Sequence, residues 1–318
     1  MFHETMNLFE ELDFNDTSTN YTFSTFTHRI LPNNTVNYYM NDDRGISIYD
    51  QDWHFIRRVN LKSLNQEISL YGNMFIHEEF IYICNSFLYT DNEIEKSFFF
   101  LKLDFDLQII NYHHFKKWHL ISMSFDLCEK RIVLLRTKYE FKHDRMEDFK
   151  FKINLDVYSL YLKKTSEMNT TSINDNAFDL YGLSLAIVYY DNQLFISYKN
   201  WFSEYQYIMV TDINGQYIKT YTLIHRSLME TFFYFPMNSF TVDNFGNILF
   251  TSMGQLCLFD SSLNITKSCI DNLNYNEYNA IYSNMNDYPL YAQVDQSGRL
   301  VAIDSFKQKI QLYGPFGA

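Results

Sequence analysis

The stretch Ser239–Cys269, SFTVDNFGNILFTSMGQLCLFDSSLNITKSC, decides the fold of this chain. It divides into four short runs rich in Ile, Leu, Phe and Val, namely Ser239–Asp243, Asn247–Ser252, Gln255–Asp260 and Leu263–Cys269. Asn, Asp, Ser and Gly separate the runs, and apolar runs bounded by such turn residues indicate strands. The separators are too short for crossover connections, so neighbouring strands must be antiparallel. The stretch therefore predicts one four-stranded antiparallel sheet.

The same pattern recurs along the whole chain at nearly constant intervals. Short apolar runs end in a turn residue at six positions, which are Asp50, Asp104, Asp156, Asp212, Asp260 and Gly314. These anchors are 54, 52, 56, 48 and 54 residues apart. Aspartate suits such turns because its carboxylate accepts hydrogen bonds from nearby backbone N–H groups. We therefore expect each of these aspartates to cap the turn that follows its strand.

Six periods of four strands each predict an all-β fold, a six-bladed β-propeller of four-stranded antiparallel blades. The predicted single domain covers 1–318, with blades at about 21–60, 74–113, 120–163, 183–223, 238–270 and 290–314. The last period stops after its third strand, which would leave unpaired backbone groups at an open edge. An N-terminal strand at 5–12 is expected to supply the missing strand and close the ring.

Composition excludes several classes of protein. The 318 residues are 47% hydrophobic, which excludes intrinsic disorder, and contain no apolar run of 18 residues, which excludes a transmembrane helix. The net charge of −12 disfavours binding to nucleic acid or to an anionic membrane. The first residues do not resemble a secretory signal, and the four cysteines show no CxxC spacing. A cytoplasmic location is expected, with Cys257 and Cys269 reduced and roughly opposite each other in a hairpin.

The final period carries a specific resemblance. Residues Val294–Asp304, VDQSGRLVAID, followed by Lys309–Gly314, KIQLYG, resemble an NHL repeat, and Val242–Phe250 is a shorter echo. The match departs at Lys307–Lys309, where the family usually has Asn-His-Arg. The resemblance implies a six-bladed propeller that binds proteins or, in some members, RNA. It implies no ligase activity, because no zinc spacing or heptad pattern accompanies it here.

The favoured function is therefore a non-catalytic binding platform for a protein partner. Aromatic side chains on the loops of an end face would make the contact, since aromatics anchor interfaces at low entropic cost. The alternative role for the same aromatics is packing between neighbouring blades. The candidate binding residues are Phe87, Tyr89, Trp118, Tyr139, Phe141, Trp201, Phe202, Tyr275 and Tyr278. No cofactor is expected for this function.

Two other functions stay open. Residues Pro236–Asp243 slightly resemble the Asn-bearing inner strand of lactonase-type propeller hydrolases, which implies Asn238 as a calcium ligand in the central channel. The apolar run Leu185–Val188 offers no further ligand there. Single-stranded RNA binding is the third function, because Lys116–His119 and Lys138–Lys150 interleave aromatic and basic residues. The chain's negative charge disfavours phosphate contacts.

Overall fold

The structure is a computed structural model that describes 18 segments of the chain. They are 8–13, 25–41, 45–60, 68–70, 73–88, 97–115, 119–126, 129–141, 149–171, 184–199, 205–224, 239–242, 248–252, 255–259, 266–271, 290–294, 299–304 and 309–315. These residues form 25 β-strands in six antiparallel sheets, of which five have four strands, as the periodic pattern predicts, and one has five. The fold is all-β and propeller-like, and it divides into two compact units.

The first unit comprises Met1–Asp42, Ile46–Arg58 and Phe233–Ala318. One sheet, almost entirely within it, contains β2 (Thr25–Ile30), β3 (Val36–Asn41), β4 (Gly45–Tyr49) and β5 (Phe55–Asn60). A second contains β19 (Ser239–Val242), β20 (Ile248–Ser252), β21 (Gln255–Phe259) and β22 (Thr266–Asp271). The third contains β23 (Leu290–Val294), β24 (Arg299–Asp304), β25 (Lys309–Pro315) and β1 (Leu8–Asp13).

The second unit comprises Asp43–Gly45 and Val59–Phe232. Its first sheet contains β6 (Ile68–Ser69), β7 (Met74–His77), β8 (Phe80–Leu88), β9 (Ser97–Leu103) and β10 (Ile109–Phe115). Its second contains β11 (His119–Asp126), β12 (Arg131–Phe141), β13 (Phe149–Ser159) and β14 (Lys164–Glu167). Its third contains β15 (Ser184–Tyr190), β16 (Gln193–Lys199), β17 (Tyr205–Asp212) and β18 (Tyr217–Ile224).

The N-terminal strand β1 supplies the fourth strand of the last sheet. It runs antiparallel to β25, and its register extends from Leu8 opposite Tyr313 to Asp13 opposite Lys309. The predicted pairing of an N-terminal strand with the last period is thus confirmed for Leu8–Asp13, while residues 5–7 of the predicted strand lie outside the described residues. In the β21–β22 hairpin, Cys257 stands opposite Cys269 in the register, as the sequence predicts.

Three of the predicted aspartate turns share one geometry. The Oδ1 atom of Asp50 accepts the backbone N–H groups of Asp52 and His54 at 2.9 and 2.8 Å. Asp104 and Asp212 each accept two N–H groups, from the residues two and four positions later, at the same two distances. In all three turns the aspartate N–H also donates to the carbonyl oxygen four residues later. The capping role that the sequence predicts is confirmed at these positions.

The prediction that Asp156 caps a turn is wrong, because Asp156 lies inside β13 and is fully buried. The equivalent turn begins three residues later, where Ser159 N–H donates to the Lys163 carbonyl oxygen at 2.9 Å. The run Tyr158–Lys163, which the apolar pattern predicts as the fourth strand of the period 120–163, is therefore the end of β13 and this turn. The sequence pattern fails here because Asp156 is stabilised by cations from neighbouring strands rather than by a turn.

The fourth position of each turn adopts a left-handed backbone. It holds Trp53, Leu107, Leu162 and Gly215, with φ of 62°, 57°, 58° and 84°. The first three side chains are buried, so apolar packing opposes the steric cost of a positive φ in residues that rarely adopt it. At Gly215 a Cβ atom would lie 3.0 Å from the Asn169 carbonyl oxygen and 3.2 Å from Met168 Cβ. Glycine is required there because Met168 and Asn169 occupy the space that a side chain would need.

The core lies between consecutive sheets of each unit. In the first unit, Trp53 stacks on Tyr38 with ring centroids 4.0 Å apart, within a buried cluster that reaches Val301 and Ile310. In the second unit, the first strands β11 and β15 are joined by hydrogen bonds from Ile187 N–H to Ser122 Oγ and from Tyr189 N–H to Ser124 Oγ. Sheets that pack face to face along the chain are typical of propellers.

Candidate functional site

The site is built on β10, an edge strand of its sheet, and on the turn between β13 and β14. Asn111 and His113 of β10 stand opposite Lys102 and Phe100 of β9 in the register. Alternate strand residues face opposite sides, so Asn111 and His113 face the β11–β14 sheet while Tyr112 faces away from it. His113 and His114, which are adjacent in β10, accordingly have different partners. The His113 ring lies 5.4 Å from Tyr158, whereas His114 stacks on Phe99 at 4.8 Å.

Three hydrogen bonds hold the β13–β14 turn against the β6–β10 sheet. The Leu160 carbonyl oxygen accepts from the Tyr82 hydroxyl at 2.9 Å and from Lys102 Nζ at 3.1 Å. The neighbouring Tyr161 carbonyl oxygen accepts from Asn111 Nδ2 at 2.7 Å. The turn is thereby fixed beside β10, and the Tyr161 side chain, which is 78% exposed, is displayed at the edge of the site.

Lys102 is enclosed by aromatic rings. Its Nζ atom lies 3.7 Å from the Phe80 ring centroid, 5.0 Å from that of Tyr161 and 5.5 Å from that of Tyr82. Cation–π attraction stabilises a buried ammonium in such a position. Burial nevertheless lowers the pKa of Lys102, although the Glu78 carboxylate opposes this effect. Burial, followed by Glu78, raises the pKa of the Tyr82 hydroxyl to about 12, so Tyr82 stays a hydrogen-bond donor at neutral pH.

A charged cluster lies on the face of β12–β14 that carries Tyr158. The buried Asp156 carboxylate pairs with Arg136 Nη2 at 2.5 Å and with Lys164 Nζ at 2.8 Å. Glu167 accepts from Lys164 at 2.8 Å and from Asn154 Nδ2 at 2.7 Å. Two cations and two anions thus neutralise one another. Buried charges need this pairing, because an isolated ion loses its hydration without compensation.

The electrostatic environment of the cluster shifts the pKa of three groups, which are Lys164, His113 and Tyr158. Burial opposes the charged form of Lys164, but its hydrogen bonds to Asp156 and Glu167 outweigh burial and raise the pKa. Burial, helped by the positive charge of Arg136, lowers the pKa of His113. Burial and then Asp156 raise the pKa of the Tyr158 hydroxyl. His113 and Tyr158 are therefore neutral at pH 7, and they add no charge to the cluster.

The outer rim of the site is apolar and exposed. Ile110 is 51% exposed and Tyr112 is 58% exposed on β10, and Tyr161 lies beyond the other side of the strand. Ile110 and Tyr112 are neighbours on this edge strand, and exposed large apolar side chains on an edge are candidates for an interaction surface. The geometry can therefore bind another apolar surface, or an added strand, and the cluster behind it supplies rigidity.

Charge distinguishes β10 from the last strands of the other described sheets. Those strands contain at least one Lys, Arg, Asp or Glu each, namely β1 (LFEELD), β5 (FIRRVN), β14 (KTSE), β18 (YIKTYTLI) and β22 (TKSCID). β10 (IINYHHF) contains none. Charged side chains on edge strands discourage pairing with other chains, so β10 lacks a protection that these five strands carry. The strands β15, β19 and β23, at the opposite ends of their sheets, lack it as well.

Sequence reasoning missed Ile110, Tyr112 and Tyr161, and the uncharged run IINYHHF is the signal that could have found the first two. Among the predicted binding residues, Phe87 lies in β8 and both Tyr139 and Phe141 lie in β12, not in loops. Tyr139 and Phe141 stand opposite Phe151 and Phe149, because the β12–β13 hairpin extends to Phe141 and Phe149. The remaining predicted residues, with the candidate calcium ligand, lie outside the described segments: Tyr89, Trp118, Trp201, Phe202, Tyr275, Tyr278 and Asn238.

One group of described residues could hold a metal ion. Asp50, Asp52 and His54 each offer a ligand atom, and these atoms lie within 4.8 Å of one another. Asp50 Oδ1 already caps its turn, and His54 lies 3.3 Å from Asp50 Oδ2. This geometry is explained by the turn that Asp104 and Asp212 form as well, so it does not distinguish a metal site.

Comparison with known proteins gives the fold and no family. No family model matches the chain, and no curated protein matches it. A chain in the crystal structure of the mitotic checkpoint complex is similar, with a TM-score of 0.51, 10% identity, and coverage of 97% of this chain and 92% of that one. A protein of unknown function from Bacteroides caccae is similar with a TM-score of 0.48 and 9% identity, and the match covers 82% of this chain and 79% of that one.

In the described segments, no helix has the length and apolar character needed to cross a membrane.

Proposed function

We propose that this chain is a six-bladed, NHL-like β-propeller, closed into a ring by β1, that acts in the cytoplasm as a non-catalytic binding platform for a protein partner. Six sheets with strands in chain order support the blade count. The pairing of β1 with β25 supports closure, since one blade then combines both ends of the described chain. A rigid ring presents a surface at little conformational cost.

The exposed rim of β10 carries this proposal. Ile110 and Tyr112 expose apolar surface on an uncharged edge strand, and Asn111 fixes the turn that displays Tyr161 beside it. Tyrosine and isoleucine in such a position gain free energy when a partner covers them. Aromatic anchors also lose little side-chain entropy on binding. One similar chain belongs to a complex, and we propose a role of the same kind here.

Affinity capture from native extract tests the function. The tagged wild-type chain is compared with Ile110→Lys/Tyr112→Lys, which introduces charge at the rim, and bound proteins are quantified by mass spectrometry. Ile218→Lys is the matched control, because Ile218 is 45% exposed on β18, the last strand of another sheet. We expect at least one stoichiometric protein to be lost from the double variant and kept by the control. An identical set of captured proteins in all three samples contradicts the proposal.

Proline substitution in β1 tests ring closure. In an edge strand, successive N–H groups point alternately to the neighbouring strand and away from it, so Glu11→Pro and Leu12→Pro differ in which N–H they remove. We expect one variant to lower the melting temperature clearly more than the other. Circular dichroism measures the transition. Two unchanged melting curves would show that β1 contributes no closure.

A further inference from the structure

The hairpin of β21 and β22 places two of the chain's four cysteines directly opposite each other. Cys257 of β21 stands opposite Cys269 of β22, and the antiparallel register continues on both sides of this pair. Directly opposed residues of an antiparallel pair share one face of the sheet and have Cα atoms about 4.5 or 5.5 Å apart, according to the hydrogen bonding of the pair. Disulfides span Cα separations of about 4.4–6.8 Å. The backbone therefore accommodates a disulfide between Cys257 and Cys269 in either kind of pair.

Cys84, in β8, has a different placement. The described strands that pair with β8 are β6, β7 and β9, and they contain no cysteine. Cys84 is fully buried, and burial raises the pKa of its thiol to about 12. Because the thiolate is the form that attacks a disulfide, Cys84 stays unreactive at neutral pH. It therefore serves as an internal control for the pair in β21 and β22.

The position of β22 in its sheet gives such a disulfide a structural effect. In the order β19-β20-β21-β22, the strand β22 comes last, so β21 is the described strand that holds it in place. A bulge interrupts the register between Leu258 and Phe259, close to the cysteine pair, and bulges disrupt the hydrogen-bond ladder locally. A covalent link between Cys257 and Cys269 would add to this interrupted ladder.

We propose that Cys257 and Cys269 form a reversible disulfide that holds β22 on β21 when the glutathione pool becomes oxidised. One cysteine, as its thiolate, attacks glutathione disulfide and releases one glutathione, which leaves a mixed disulfide. The thiolate of the other cysteine then displaces the second glutathione. Two protein thiols lose two electrons and two protons, and one glutathione disulfide becomes two glutathione thiols. In a reducing cytoplasm the pair stays reduced, because disulfides there are usually transient.

Peptide mapping without reductant tests the proposal with the full chain. The protein is equilibrated with either glutathione disulfide or reduced glutathione, quenched with acid, and alkylated with N-ethylmaleimide in denaturant. Trypsin cleaves after Lys267, so Cys257 and Cys269 fall on separate peptides, 227–267 and 268–299. We expect these two peptides to be joined in the oxidised sample and separately alkylated in the reduced sample. Cys84 is expected to be alkylated in both.

Cys257→Ser is the matched variant, and in it Cys269 is expected to keep one glutathione, because the second displacement lacks its thiol. Hydrogen exchange measures the effect on the strands. Oxidation should slow exchange of the β21 and β22 amides about tenfold in the wild type, since the cross-link restricts the opened hairpin, and should not slow it in Cys257→Ser. Two alkylated cysteines in the oxidised wild type, a link from either one to Cys84 or Cys128, or equal exchange in both redox states overturns the inference. The proposed function is tested separately, by capture through β10.

Discussion

The strands β12 and β13 belong to the second unit, and the two faces of the hairpin that they form differ in chemical character. The face toward the β15–β18 sheet is aliphatic and buried, with Val133, Leu135, Ile153, Leu155 and Val157. The face toward the β6–β10 sheet carries Ile132 and Leu134 but also Arg136, Asp156 and Tyr158. Packing on the first face requires only apolar volume. Packing on the second requires particular partners, which is why the candidate site is found there.

Breaking the charged pair should give the largest effect. Asp156→Ala leaves Arg136, 8% exposed, without its carboxylate partner, and we expect a loss of about 3–5 kcal/mol in the free energy of unfolding. Urea denaturation followed by circular dichroism measures this loss. The double variant Arg136→Met/Asp156→Leu should recover most of it, because apolar replacement of both partners avoids an unpaired buried charge. A loss below about 1 kcal/mol in Asp156→Ala would place this pair among weak surface ion pairs.

Leu155→Ala tests the opposite face of the same strand. Leu155 is fully buried in the aliphatic cluster, so truncation removes apolar contacts and leaves a cavity, at a cost of about 3 kcal/mol. Leu155→Met keeps the volume and should cost less than about 1.5 kcal/mol. The same denaturation experiment compares the two variants. Equal losses in both would mean that this face depends on specific shape as strongly as the other depends on charge.

The difference between the two faces also explains what the sequence could predict. The apolar runs Leu183–Tyr189, Gln193–Lys199 and Tyr205–Asp212 predict three strands, and the bounds of β15, β16 and β17 match them to within one residue. The same reasoning misplaced the turn at Asp156, where a carboxylate inside β13 is paired with Arg136 of β12 and Lys164 of β14. Such pairing depends on the register between strands. A local pattern contains no information about that register.

The site was harder to predict than the fold for a related reason. Loop aromatics were the expected anchors, but Phe87, Tyr139 and Phe141 lie in strands. The apolar rim comes instead from a regular strand, β10, whose edge character is known only once the order of strands in its sheet is known. The absence of charge in β10 was visible in the sequence. It acquired meaning when the other last strands could be compared with it.

Substitution of two tyrosines at the contact with the β6–β10 sheet, Tyr82 and Tyr158, should change the free energy of unfolding by smaller amounts. The Tyr82 hydroxyl donates to the Leu160 carbonyl oxygen, so Tyr82→Phe should cost about 1 kcal/mol. The Tyr158 hydroxyl is buried without a hydrogen-bond partner among the described residues, so Tyr158→Phe should be neutral or stabilising. Parallel denaturation of the two variants measures the difference. A larger loss for Tyr158→Phe would indicate that a bound water or ligand uses its hydroxyl.

The pH dependence of stability should show the smallest effect, and it arises at His113. Burial and the nearby Arg136 lower the pKa of His113 in the folded protein, so below about pH 6.5 the unfolded chain binds a proton that the folded chain takes up less readily. Stability is therefore complete above that pH and falls as the solution is acidified toward the lowered pKa. His113→Gln should flatten this part of the curve of unfolding free energy against pH, whereas His54→Gln, at a side chain 77% exposed, serves as the control. If the slope persists in His113→Gln but disappears in His54→Gln, the acid sensitivity does not arise at the face that carries Arg136 and Asp156, and the prediction is wrong.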